Sequence, residues 1–286
     1  MKTATVLSVV TAILFAGCVR TIAVSTMGGI IDDGFSAFTE ESDLDFAGKA
    51  FPGSLKLLEV MLKSDPSNPS MLRLASEGYS SYALAFLDDK DPGRAKEFYL
   101  RAKDYGMRLL RQDDELAKAF DGTADDLKAV LDERGPDDVP AIFWTAFGMG
   151  GYIQLSITDP NALAELPKAE VMMQFVARVD SAYYFAGADI FLGTLDGSRA
   201  AMFGGNAERS RQHFERALRI NGGKFLMTYV YYARSCAVQI QNQGLFEGLL
   251  DKVDQASLNI LPEFRLANAV AKQKAQILRT KESDLF

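Results

Sequence analysis

From about Ala50 onward the apolar residues recur every three or four positions, and no stretch makes a convincing case for the period of two that marks a strand. Leu72, Ala75, Tyr79, Tyr82, Ala83 and Phe86 fall on one helical face, and Leu226, Tyr229, Ala233, Cys236 and Ile240 repeat the spacing. Asn68 followed by Pro69 supplies an N-cap and a first-turn proline for the first of these helices. An all-α body is expected, held together by the packing of amphipathic faces.

The helices also repeat as pairs. Tyr79, Tyr82, Ala83 and Phe86 on one helix, with Ala95, Tyr99 and Ala102 on the next, match the offsets of a tetratricopeptide unit of about 34 residues. Tyr184, Ala188 and Phe191 with Ser210, Phe214 and Ala217 form a second unit, interrupted by about ten extra residues that include Gly197, Gly204, Gly205 and Asn206. Weaker copies run from Leu55 to Pro66 and from Tyr229 to Leu249, and Trp144, Phe147 and Gly148 could begin another. Small residues at Ala83, Ala102, Ala188 and Ala217 would let paired helices approach while aromatics fill the neighbouring gaps. The reading is degenerate tetratricopeptide-like repeats packed into one compact solenoid-type domain over residues 50–286; an unrelated helical bundle is the alternative.

The N-terminus reads as an address. Lys2 precedes an apolar run from Ala4 to Gly17, the length of a signal-peptide core and short for a bilayer span. Leu14-Phe15-Ala16-Gly17-Cys18 resembles the bacterial lipobox, with Phe15 where that motif usually has leucine. The resemblance makes residues 1–17 a lipoprotein signal peptide, Cys18 the acylated residue and 18–49 a lipid-anchored segment with a helix. Each buried methylene of the acyl chains would contribute about 0.8 kcal/mol to anchoring. The alternative is an apolar helix that happens to contain a cysteine.

Composition narrows the chemistry. With 31 Lys+Arg against 38 Asp+Glu the formal charge is -7, so a phosphate backbone is repelled and nucleic acid is not an expected partner. Cys236 has no partner once Cys18 carries lipid. His213 is the single histidine and is read as sideways or outward; no zinc spacing, phosphate loop or nucleophile elbow occurs, so no cofactor, metal or catalytic residue is expected. Phe147-Gly148-Met149-Gly150-Gly151 lacks a preceding strand and reads as close helix packing. The acidic pairs Asp32-Asp33, Asp88-Asp89, Asp113-Asp114, Asp125-Asp126 and Asp137-Asp138 read as capping and solvation. Tyr183-Tyr184-Phe185 cannot share one helix face, so at least one ring should meet a cavity, another chain or solvent. An aromatic-lined groove or pore and a generously packed core both remain open.

Four runs carry a family resemblance: Glu77-Gly78-Tyr79-Ser80-Ser81-Tyr82-Ala83, Phe143 through Gly151, Gly222-Gly223-Lys224-Phe225, and Leu261 through Asn268. With the lipobox they make the sequence similar to the T components of TRAP transporters, the TatT-like lipoproteins, as far as about Arg279. The resemblance implies a tetratricopeptide solenoid closed around an internal pore, in a non-enzymatic periplasmic lipoprotein of tripartite, ion-driven uptake. It further implies docking of a periplasmic substrate-binding subunit, assembly into a homo-oligomer (a trimer), and a small apolar or organic-acid ligand. Carried over by position, Trp144, Phe147, Tyr184, Lys224, Phe225, Tyr229 and Asn268 become candidates for lining the pore or dock. Lys224 follows two glycines at a helix start, where the dipole disfavours a cation, so either a carboxylate partner or an ordinary exposed lysine fits. Val19 after Cys18, in place of aspartate, points to the outer rather than the inner membrane. A scaffold for envelope assembly, its concave face holding a peptide, is the alternative function; a hydrolase would need a nucleophile and base that the sequence does not display.

Overall fold

The computed structural model describes residues 37–286. The expected signal peptide, Cys18 and Asp32-Asp33 lie outside the described residues. The helices are α1 (Leu44–Ser64), α2 (Pro69–Tyr82), α3 (Pro92–Leu110), α4 (Asp114–Asp121), α5 (Ala124–Asp132), α6 (Val139–Gln154), α7 (Pro160–Ala164), α8 (Leu166–Val179), α9 (Tyr183–Ser198), α10 (Ala207–Asn221), α11 (Met227–Tyr232), α12 (Gln243–Gln255), α13 (Arg265–Thr280) and α14 (Glu282–Leu285). No strand occurs among the described residues, and the fold is all-α.

Local chemistry sets the helix ends. Asn68 accepts a hydrogen bond from the Met71 amide with Pro69 in the first turn, as its sequence predicts. Asp43 caps α1 through the amides of Asp45 and Phe46, which starts that helix inside the acidic stretch before Ala50. Asp113 caps α4, and Thr123 with Asp126 forms a capping box on α5. Two helices widen into π-turns at their C-terminal ends, at Ala83–Leu87 after α2 and at Ala233–Ala237 after α11.

Packing proceeds by neighbours. α3 lies between α2 and α6, α6 packs on α8, α9 packs on α8 and α10, and α11 is covered by α12 and α13. The small residues do what their spacing implies: Ala83, Ala102 and Ala217 are fully buried, and Ala102 faces Gly148, where an added Cβ would come within 3.0 Å of the alanine methyl. Gly150 and Gly151 likewise leave room for the rings of Phe191 and Tyr99.

The chain of helices then closes on itself. α13 returns to α1, and Lys274 Nζ reaches back to Asp89 at 2.5 Å and Asp88 at 3.4 Å. This corrects the reading of Asp88-Asp89 as capping and solvation, because the pair holds a lysine side chain that is only 5% exposed. At the other side of the seam Thr39 Oγ1 donates to the Glu263 carbonyl and Arg265 Nε donates to the Glu40 carbonyl, both at 2.7 Å. The two ends of the described chain are thereby sewn together.

Candidate functional site

Closure leaves a cavity of about 350 Å³ whose wall is drawn from α1, α2, α3, α6, α7, α8, α9, α11 and α13. Phe143 and Gln154 both line it, and the α6 backbone between them spans roughly 16 Å at 1.5 Å per residue, so the space is elongated along that helix. Its aromatic end gathers Phe38, Trp144, Tyr184, Phe225 and Phe264; its far end is bounded by Ile157, Leu163 and Arg199. Ile157 is 68% exposed and Leu163 41%, so this far end opens toward solvent through an apolar rim. The first π-turn contributes Leu84, Ala85 and Phe86 to the wall, and Tyr231 lies just before the second. Such wide turns recur at functional sites because they re-aim side chains within a helix.

Polar groups are few and placed. The phenols of Tyr99, Tyr184 and Tyr231 line the space, and burial pushes all three well above the ordinary tyrosine range, so they stay neutral donors. Arg199 is the one cationic side chain among the described residues that line it. Its Nε donates to the Leu195 carbonyl at 3.0 Å, while its distances to Glu170 and Asp196 are long, 3.8 and 3.9 Å. Asp196 is taken instead by Arg209, at 2.6 and 3.1 Å. An apolar wall with a few convergent polar groups is the usual make-up of a small-molecule site.

The aromatic end is built on a backbone irregularity. Tyr184, Phe185 and Ala186 have φ of 45°, 60° and 62°, one turn of left-handed helix at the entry of α9. For residues with a Cβ this costs about 1–2 kcal/mol each. Aromatic contacts offset it: Phe185 stacks on Phe225 at 4.8 Å and 12°, and meets Phe264 edge-on at 4.7 Å. Asn221 Nδ2 donates to the Phe185 carbonyl at 3.1 Å. Tyr184, turned the other way, packs edge-on to Trp144 at 4.8 Å. The left-handed turn is how three successive aromatics are all accommodated.

Of the residues carried over by resemblance, the structure brings Trp144, Phe147, Tyr184 and Phe225 to the cavity. Lys224 is exposed and stands away from it. Tyr229 lies outside the lining, with its hydroxyl beneath Gly223 and Lys252 over its ring at 5.9 Å. Asn268 is fully buried but acts as a staple, its Oδ1 accepting from the Leu226 amide at 2.9 Å and its Nδ2 donating to the Lys224 carbonyl at 3.0 Å. Arg199 escaped the sequence reading, and Tyr99, read as a repeat position, proves to line the cavity as well; Tyr231 belongs to the aromatic-rich stretch from Phe225 to Tyr232 for which a groove or a packed core was left open.

His213 does not point into solvent alone. Its Nδ1 sits 2.6 Å from the buried Asp189 carboxylate, which the Arg216 guanidinium also grips. Asp189 is thus held from two sides, between α9 and α10. Among the described residues no cluster of His, Cys, Asp and Glu could hold a metal ion, and no helix is long and apolar enough to cross a membrane.

The fold and the cavity define an all-helical body of paired helices closed around an apolar chamber. A family model described as the TRAP transporter T-component matches residues 40–286, and the chain belongs to that family. No curated protein matches it. Its role is therefore that of an accessory component of a TRAP transporter, a system of the cell envelope.

Proposed function

We propose that the chain is a lipid-anchored periplasmic T component: Cys18 carries the lipid, residues 1–17 are removed, and the body docks a substrate-binding subunit and takes a small organic acid into its cavity. The observation that carries this is the elongated apolar chamber inside the body that the family model covers, with Arg199 at its open end. A guanidinium whose neighbouring acids stand 3.8 and 3.9 Å away has donors to spare for a carboxylate, while the aromatic wall suits an apolar tail. Anchoring would leave the body at the membrane surface, and self-association into a trimer belongs to the same proposal by family resemblance.

The scaffold reading needs an open concave groove for a peptide. The Lys274 clasp counts against it, since it folds the concave face inward.

The test is affinity capture with the mature chain from an extract of its own organism, followed by native mass spectrometry. Co-recovery of a transporter substrate-binding subunit, with an organic acid bound to either protein, is the expected result. Recovery of envelope-assembly proteins alone, with an empty chain, would sink the uptake role. Metabolic labelling with an alkyne fatty acid should mark the wild type and not Cys18→Ala.

A further inference from the structure

The left-handed turn at Tyr184, Phe185 and Ala186 is the strongest irregularity in the described backbone, since these residues make up three of its four non-glycine positive-φ positions. No glycine relieves it. Strain of this kind persists only where the surroundings over-determine it, and it clusters at ligand clamps and switch regions. Here two of the groups that hold it, Phe225 and Phe264, line the aromatic end of the cavity. Phe225 and Phe264 grip the Phe185 ring, and the Asn221 amide spans the Phe185 carbonyl and Thr228 Oγ1, at 3.1 and 3.0 Å.

Tyr184 is held differently. Its ring bridges the two sides of the chamber, 4.8 Å from Trp144 on α6, and 5.9 and 6.1 Å from Phe225 and Phe264 on the opposite side. Among the described residues its side chain is held by packing and not by a hydrogen bond, and the apolar body of a ligand can replace such packing. Ring packing opposes backbone strain across one turn, which is the make-up of a bistable element.

We infer that the Tyr184–Ala186 turn is a two-state gate at the aromatic end of the cavity. In the left-handed state Tyr184 lies against Trp144 and that end is shut. Reversion to right-handed φ and ψ extends the regular part of α9 backward and takes Tyr184 off the Trp144 ring. The same end is where the described chain begins, since Phe38 lines it and Thr39 is tied to Glu263 beside Phe264. The gate's use in passage rests on the reading that the cavity takes a ligand; its two states do not.

Trp144 is the single tryptophan of the chain, so its fluorescence decay reports on Tyr184 directly. The experiment uses the full chain in non-ionic detergent, comparing wild type, Ala186→Gly and Asn221→Asp. Glycine adopts the left-handed region at no steric cost, so Ala186→Gly should raise the closed-to-open ratio roughly five- to thirty-fold. Asn221→Asp keeps the acceptor used by the Gly223 amide and loses the donor to Phe185, so it should enlarge the open component and the acrylamide quenching of Trp144. Should that variant fail to fold, Ala186→Gly against wild type decides alone. Identical decays and quenching, with Ala186→Gly raising only the melting temperature, would overturn the gate. Sodium octanoate supplies the second arm: its stopped-flow effect on Trp144 should slow several-fold in Ala186→Gly. Absence of any octanoate effect in wild type counts against the ligand reading, while the ligand-free decays still decide the gate.

Discussion

Gly187 follows the left-handed turn, and an added Cβ there would come within 2.7 Å of the Phe143 ring. Phe143 cannot easily yield, because Trp144 and Tyr183 meet it edge-on at 5.0 and 5.1 Å. Gly187→Ala gains about 1 kcal/mol of helix propensity but incurs about 1–3 kcal/mol of overpacking, so packing should win and the melting temperature should fall. Burial pushes the Cys236 thiol upward in pKa, and its Sγ lies 3.6 Å from the Ala207 carbonyl. Iodoacetamide at pH 8 should therefore modify Cys236 only as fast as the protein opens, measured by mass spectrometry with and without denaturant; rapid native labelling would contradict the buried placement. At this scale the sequence was half legible. The run Tyr183-Tyr184-Phe185 announced that an ordinary helix could not place all three rings, yet nothing announced a left-handed turn, because the residues that normally mark one are glycine and asparagine.

Helix ends were the most readable feature of the elements, since a cap is chemistry between residues a few positions apart. Asn68-Pro69 acts where its spacing places it, and Asp126, read as half of an acidic capping pair, closes a capping box with Thr123. Contacts between elements were less so: His213 and Asp189 stand 24 residues apart on different helices, and no local pattern pairs them. Asn268 shows the same limit. It was singled out by resemblance as a candidate for lining the pore or dock, and no local pattern announced that its buried amide fixes the start of α11. Asn268→Ala should leave the Leu226 amide and the Lys224 carbonyl without partners and lower stability by about 2–3 kcal/mol in a denaturant titration. Asp113 joins two elements, capping α4 and receiving a fork from Arg134 at 2.7 and 2.9 Å. The Arg134 fork, aided by backbone amides, holds its carboxyl below the usual range. A lowered pKa means its contribution is present above the unfolded value of about 3.9 and lost as pH falls through the folded one. Asp113→Ala should cost about 1 kcal/mol at pH 7, and the difference from wild type should shrink as the pH drops below about 3.9.

The whole molecule is held by contacts that a single sequence hides. Lys274 and Asp88 are 186 residues apart, and closure around a chamber entered the sequence reading only through family resemblance. The all-α class, by contrast, was legible from the three-and-four spacing alone. Because Lys274 is buried against two carboxylates, Lys274→Met should cost roughly 3 kcal/mol, as breaking a buried pair from one side does. Hydrogen exchange in α13 and in the π-turn after α2 should rise together, while α4 and α5 stay protected; a rise confined to α13 would mean that the two ends are not coupled. The clasp also bears on how such a chain can change over descent. An open row of helix pairs can gain or lose a unit at either end and still stack. In a closed ring each added pair would pull Lys274 away from Asp88 and Asp89, so duplication and deletion of whole units are barred and novelty must enter through substitutions in the wall or through loops such as the glycine-rich insert before α10.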